Sequence, residues 1–325
     1  MCDKGGVLSP LLFCIYVDEL INQLRTSSFG CYAGPFFAGA LCYADDIVLL
    51  SPSVSGLDHM LQICQMFAES SNLSFNAAKS QLIVFRRSPK TENLTLTFNG
   101  TPIIEQESVV HLGHVVHNDL RKCDINGLLA SFYRQYNLFR SRFGNIPSYV
   151  QARLFQTYCS SFYGCVLLPL RQTEKLQVAW RKCLRQVWRI PYRTHNGILW
   201  CLGQGLCERH MFLARFVTFA SSAYNSDCEV IAYITKCLVD LNGTFGNNLK
   251  ELHRLLSPGY VQTLITDGND TLKQIYRLCN KNCKNDSNMH LAWTVSELSQ
   301  VRDNMLDCPL NKDEIRNMIT ILTTD

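Results

Sequence analysis

The sequence predicts an α+β fold: a small antiparallel sheet with helices packed on it, followed by an all-helical remainder. Three observations predict it. Short apolar runs, LCYA and IVLL, flank the pair Asp45–Asp46 and read as strands. Asn99-Gly100 stands between LTLTF and TPII, the strongest short-range hairpin signal in the chain. From about Asp119 onward the strand signals stop and apolar residues recur at helical spacing.

Taken in order, Ser9-Pro10 opens LLFCIYVDELINQL, a helix with proline in its first turn and acids after its apolar face. Residues 57–72 show helical periodicity through Leu57, Leu61, Cys64, Met66 and Phe67. SQLIVF, residues 80–85, returns to strand. VVHLGHVVH, residues 109–117, adds a further strand with Gly113 at its centre. Helices are expected over 124–143, 148–167, 173–189 and 207–225, with Pro147 and Thr173 where helix starts belong. The last hundred residues carry weaker helical stretches between NGTFGNN, SPGY and DGND loops. The expected division is 1–118, 119–198 and 199–325.

The 325 residues suffice for two domains with a sizeable core. A hydrophobic fraction of 47% with 18% charged residues excludes a disordered chain. Sixteen cysteines run from Cys2 to Cys308 without framework spacing, which favours a reducing compartment and buried thiols used as small apolar residues. Lys4 followed by VLSPLLFCIYV imitates a signal peptide, but Asp18 and Glu19 follow at once without a small-x-small cleavage site. No apolar run is long enough to span a bilayer. The expectation is an intracellular protein, in cytoplasm or nucleus, neither secreted nor bound to membrane.

Charge is unevenly spread. Between Arg121 and His195 there are thirteen Lys or Arg against two acids, net +11, which leaves −7 on the remainder. A basic middle of this kind suits a polyanion, most plausibly nucleic acid. Within it, TEKLQVAWRKCLRQVWRI sets Leu176, Trp180, Leu184 and Val187 on an apolar stripe. Arg181, Arg185 and Arg189 repeat every four residues on a neighbouring face, with Arg134, Arg140, Arg142 and Arg153 on adjoining helices. Such a ridge can track phosphates; the alternative is a solvated amphipathic helix with core tryptophans.

The acid pair is the candidate chemical centre. Adjacent carboxylates repel, and Asn-Gly would close a turn more easily. Taken alone, such a pair at a turn reads as a solvated loop; a hard cation bound by both carboxylates would remove the repulsion. Cys279, Cys283, His290 and Cys308 are spaced too loosely for a compact zinc knuckle, so helix-core cysteines are preferred to zinc there.

The order KGGVLSPLLF, YADD, FNAAKSQLIVF resembles the palm of a reverse transcriptase, with nearest likeness to those of non-LTR (LINE-type) retrotransposons. GGVLSP looks like motif B, YADD like motif C, and the segment from Asn76 to Ser80 like motif D. VVHLGHVV, with Gly113, resembles the primer-grip hairpin that follows, and the basic helices occupy the place of the thumb. The resemblance covers residues 4–118. It implies an RNA-directed DNA polymerase that binds RNA template, DNA primer and dNTP and uses two Mg²⁺ ions. Asp45 and Asp46 would hold metal, Tyr43 would flank the primer end, and Gly5 and Gly6 would let backbone approach the nucleotide. Lys79 would donate a proton to pyrophosphate.

The family's palm also needs a third metal-binding aspartate, from motif A ahead of motif B. Asp3 and Asp18 are the aspartates before YADD, and neither fits that strand position. Lys4 stands where the family carries glutamine. The expectation is therefore a polymerase segment inactive by itself. The alternatives are a non-catalytic nucleic-acid-binding remnant of a decayed or domesticated element and, more weakly, a metal-dependent nuclease.

Overall fold

A computed structural model describes residues 9–85, 94–120, 122–194, 196, 199, 208–256 and 263–285. The chain forms two compact units: residues 1–123 with 228–234, and residues 124–227 with 235–325.

In the first unit, helix α1 (Ser9–Thr26) starts at the expected Ser-Pro and buries Val17, Leu20 and Leu24, the three- and four-residue spacing of one helix face. Helix α2 (Val54–Ser70) is capped by Ser53, whose hydroxyl accepts from the Gly56 amide at 3.1 Å. Its buried stripe runs through Met60, Cys64, Phe67 and Ala68. Met66, expected on that stripe, points to solvent. The two helices cover a core completed by Leu82, Leu96, Phe98 and Ile103.

The strands form four small sheets among the described residues rather than one. Strands β1 (Tyr32–Ala33) and β2 (Phe36–Phe37) make a hairpin, as do β3 (Ala40–Tyr43) and β4 (Asp46–Leu49). The third sheet pairs β5 (Leu82–Ile83) in parallel with β7 (Thr101–Gln106), which pairs antiparallel with β6 (Thr95–Phe98). The six-residue strand read in SQLIVF contracts to Leu82–Ile83. Asn99 and Gly100 join β6 to β7 with φ of 48° and 70°, the left-handed pair a tight hairpin needs.

VVHLGHVVH departs from the single-strand reading. It is a hairpin of β8 (Ser108–His111) and β9 (His114–His117), turning at Leu112 (φ 47°) and Gly113 (φ 78°). Leucine in a left-handed turn position carries no turn signal, so the run reads as continuous strand. The glycine marks the actual reversal.

The second unit begins with α3 (Ile125–Phe143), whose N-cap Asp124 accepts from the Gly127 amide at 2.8 Å. Next come α4 (Ser148–Cys159) and α5 (Glu174–Val187). These three share an aromatic core in which Phe155 meets Phe132, Tyr136, Phe139 and Trp180. The helix expected to reach residue 167 stops at Cys159. Left-handed Phe162 (φ 39°) and Gly164 (φ 81°) end it before a 3₁₀ turn at Cys165–Leu167.

Helices α6 (Glu208–Tyr224), α7 (Glu229–Asp240), α8 (Thr244–Leu256), α9 (Thr263–Thr266) and α10 (Gly268–Asn285) follow. Two expected loops are partly helix. Helix α8 starts inside NGTFGNN, where buried Gly246 lies so near the Leu241 carbonyl that any Cβ would collide with it. Helix α10 starts inside DGND, where Gly268 packs on Ser221. Both glycines serve close packing rather than chain breaking. The SPGY loop lies outside the described residues.

Cys64, Cys159, Cys165 and Cys183 are buried free thiols, as the small-apolar reading of cysteine expects. Burial raises all four above the ordinary thiol value, and pushes Cys64, Cys159 and Cys183 up to about 12. Cys14, Cys42, Cys228 and Cys237 are exposed. Among the described residues no helix is long and apolar enough to cross a membrane.

Candidate functional site

The β3–β4 register pairs Ala40 with Leu49, Leu41 with Val48, Cys42 with Ile47 and Tyr43 with Asp46. Side chains alternate across a strand, and directly paired residues share a face. Ala40, Ile47 and Leu49 pack on the core of the first unit. Asp46, Tyr43, Leu41 and Val48 therefore share the opposite face, where Tyr43 is 65% and Leu41 51% exposed.

The loop is Ala44–Asp45, only two residues long. Ala44 holds φ 51°, the left-handed position that glycine normally fills in such turns. A non-glycine residue there costs about 1–2 kcal/mol, which the flanking strand pairs offset. Both Asp45 and Asp46 are exposed. The turn thus projects one carboxylate from its tip and sets the second beside Tyr43.

These oxygens fit a hard cation. Mg²⁺ is commonly held by one or two carboxylates together with substrate phosphates and water. A two-ion centre needs more acid than this turn supplies. Among the described residues there is no group of three or more His, Cys, Asp or Glu able to hold a metal. Asp18 lies exposed on α1 and accepts from the Asn22 side chain at 3.5 Å.

Lys79 ends a 3₁₀ turn, Ala77–Lys79, capped by Asn76, whose side chain accepts from the Lys79 amide at 3.2 Å. Phe75 and Ala77 anchor the turn in the core while Lys79 is exposed. Gly113 is exposed in the β8–β9 turn. Lys4, Gly5 and Gly6 lie outside the described residues.

The three-arginine ridge divides. Arg181 forms an ion pair with Glu208, with side-chain exposures of 17% and 1%. Arg185 donates from Nε and Nη2 to the Thr194 carbonyl at 3.1 and 2.8 Å, and from Nη2 to Asn196 Oδ1 at 2.7 Å. Burial, then the neighbouring Arg181 charge, lowers its pKa from the ordinary arginine value. Arg181 and Arg185 thereby fasten α5 to the start of α6 and to Thr194 and Asn196. Arg189 is exposed and reaches the Gly144 carbonyl at 3.4 Å.

The tryptophans are core. Trp180 donates to Ser160 Oγ at 3.0 Å, and Trp188 is 2% exposed. Arg134, Arg140, Arg142 and Arg153 are exposed on α3 and α4. Periodicity finds the arginine spacing but not Glu208, which lies 27 residues away in sequence. The last two members of the loose Cys/His set, His290 and Cys308, lie outside the described residues; Cys279 and Cys283 fall within α10.

Residues 1–116 match the family described as reverse transcriptase (RNA-dependent DNA polymerase). The chain is 24% identical over 209 residues to the retrovirus-related Pol polyprotein from type-1 retrotransposable element R2 of Nasonia vitripennis, covering 60% of this chain and 20% of that protein. It is 32% identical over 87 residues to the Pol polyprotein from type-2 retrotransposable element R2DM of Drosophila melanogaster, covering 27% and 8%. The chain thus spans a fifth or less of these relatives. The first alignment is longer than the family match, so the likeness continues past residue 116 into the helical part.

Arg181→Leu removes the ion pair between Arg181 and the buried Glu208. A chemical-denaturation curve should show about 3–5 kcal/mol lost from the second unit. Arg134→Leu, on the surface, should change stability by less than about 0.5 kcal/mol.

Proposed function

We propose, from the premise that residues 1–116 belong to a reverse transcriptase of the non-LTR class, that the β3–β4 turn is the metal-holding part of a polymerase palm. On this reading the chain is a segment of an RNA-directed DNA polymerase. The observation that carries it is the register Tyr43↔Asp46, which turns Asp46 and Tyr43 away from the core and leaves Asp45 exposed at the tip.

In the intact enzyme Asp45 and Asp46 would hold Mg²⁺, which would supply electrostatic stabilisation of the charge that develops in nucleotidyl transfer. Tyr43, on the same face as Asp46, provides a surface against which the primer end rests. Rigid strand pairing beneath the turn holds the carboxylates in place before substrate arrives, so little reorganisation is needed when charge develops. Lys79, on its capped turn, is the candidate proton donor to departing pyrophosphate.

On this reading a third carboxylate, beyond Asp45 and Asp46, completes the centre. The chain of residues 1–325 therefore extends no primer by itself. Supplying the amino-terminal palm and fingers of an R2 relative in a fusion should restore Mg²⁺-dependent extension of a DNA primer on RNA. Asp45→Asn or Asp46→Asn in that fusion should lower the rate about a thousandfold or more, the scale of losing several kcal/mol of metal stabilisation. Extension by the 325-residue chain alone, or a fusion indifferent to both substitutions, contradicts the reading. Mg²⁺-dependent strand cleavage lost in Asp46→Asn would support the nuclease alternative instead.

A second reading is favoured by the exposed arginines of α3: the second unit binds duplex nucleic acid whether or not the palm is active. Arg189 remains a phosphate candidate, together with Arg134, Arg140 and Arg142. Arg181 and Arg185 act by holding the unit's shape. Affinity of the whole chain for an RNA–DNA primer–template should fall steeply with salt. Replacing Arg134, Arg140 and Arg142 by alanine should reduce the slope of log K against log salt by about one per lost phosphate contact. Asp45→Asn should leave affinity nearly unchanged.

A further inference from the structure

Residues 228–234 belong to the first unit although they are far from it in sequence. The contact they make there is specific. Tyr233 lies over the tip of the β1–β2 hairpin, its ring centroid 5.5 Å from that of Phe36. The hairpin turns at Gly34-Pro35, with Gly34 at φ 59°. A Cβ at Gly34 would fall inside the Tyr233 ring and hydroxyl, so only glycine admits the tyrosine at this position.

The base of the same hairpin is fastened to the acidic hairpin. The Cys31 amide donates to the Leu50 carbonyl at 2.9 Å, the Leu50 amide to the Gly39 carbonyl at 2.7 Å, and the Ala38 amide to the Cys31 carbonyl at 2.9 Å. Gly30 and Gly39 approach closely beneath the Phe37 ring, where a Cβ on either would clash. Leu50 directly follows β4, whose first residue is Asp46. A two-residue-per-strand hairpin has little stability of its own and takes its order from what covers it. Tyr233 covers the tip.

We propose that Tyr233 is a positioning residue: it orders the β1–β2 hairpin, which through Cys31 and Gly39 fixes the end of β4 and so the placement of Asp46. This gives a stretch of the carboxy-terminal helical region, to which the sequence assigns no role, a part in shaping the acidic turn. Its catalytic meaning rests on the polymerase reading; the mechanical connection does not.

Amide hydrogen exchange of the full 325-residue chain tests it. Tyr233→Ala should speed exchange at Cys31, Ala38 and Leu50 and along 46–49 about tenfold, the scale of one lost aromatic contact. Exchange across the 95–106 hairpin of the same unit should stay as in the wild type. Tyr233→Phe, which keeps the ring, should restore the wild-type pattern. Gly34→Ala, which drives the ring off from the other side, should reproduce the effect of Tyr233→Ala. Unchanged exchange at 31–50 in both disruptive variants overturns the proposal, and so does acceleration that spreads equally to 95–106. Failure of primer extension in the fusion, with this exchange pattern intact, would count against the polymerase reading alone.

Discussion

Tyr43 faces Asp46 across a turn of two residues, and that pairing decides what the first unit can do. A shift of one residue would send every side chain of the hairpin to the other face. Ile47 and Leu49 would leave the core, and Asp46 would be driven into it without a partner. Burial of the aliphatic residues and exposure of the acid therefore select the same register. The turn's remaining strain falls on Ala44, held left-handed where glycine would be easier. The helices α1 and α2 behind the hairpin supply the apolar surface that makes this register worthwhile.

The second unit follows a different constraint. Its basic sequence would repel itself if every arginine were presented together, and the ridge Arg181–Arg185–Arg189 resolves this by turning two of its three inward. Glu208 neutralises Arg181 in a nearly closed site, while Arg185 is held by the Thr194 carbonyl and Asn196. A buried pair of this kind is weak as a source of stability but damaging to break. The exposed arginines include Arg134, Arg140 and Arg142 on α3 and Arg153 on α4, with Arg189 beyond the end of α5. Shape and charge are thus assigned to different arginines of one basic segment.

Much of this was legible in the sequence. The acid pair between strands, the Asn99-Gly100 hairpin, the starts of α1, α3 and α5, and the buried stripe Leu176–Trp180–Leu184–Val187 all follow from local chemistry. What was not legible depends on partners distant in the chain. Glu208 gives no sign that it is the counter-charge of Arg181, and Tyr233 gives none that it meets Gly34. Leu112 conceals a turn because leucine rarely takes a positive φ. Gly246 and Gly268 look like breaks because the reason for their smallness, a carbonyl and a hydroxyl pressed against them, exists only after folding. At the candidate site, residue types and order were readable, whereas the outward facing of Asp46 and Tyr43 needed the register.

The central claim is that the Ala44–Asp45 turn and Asp46 form a divalent-cation seat. The most direct measurement is Mn²⁺ titration of the isotopically labelled chain, following paramagnetic broadening of backbone amide signals. The account predicts broadening centred on residues 43–47, removed when Asp45 and Asp46 are both changed to asparagine. Broadening centred elsewhere, or unaltered by that double substitution, would contradict it.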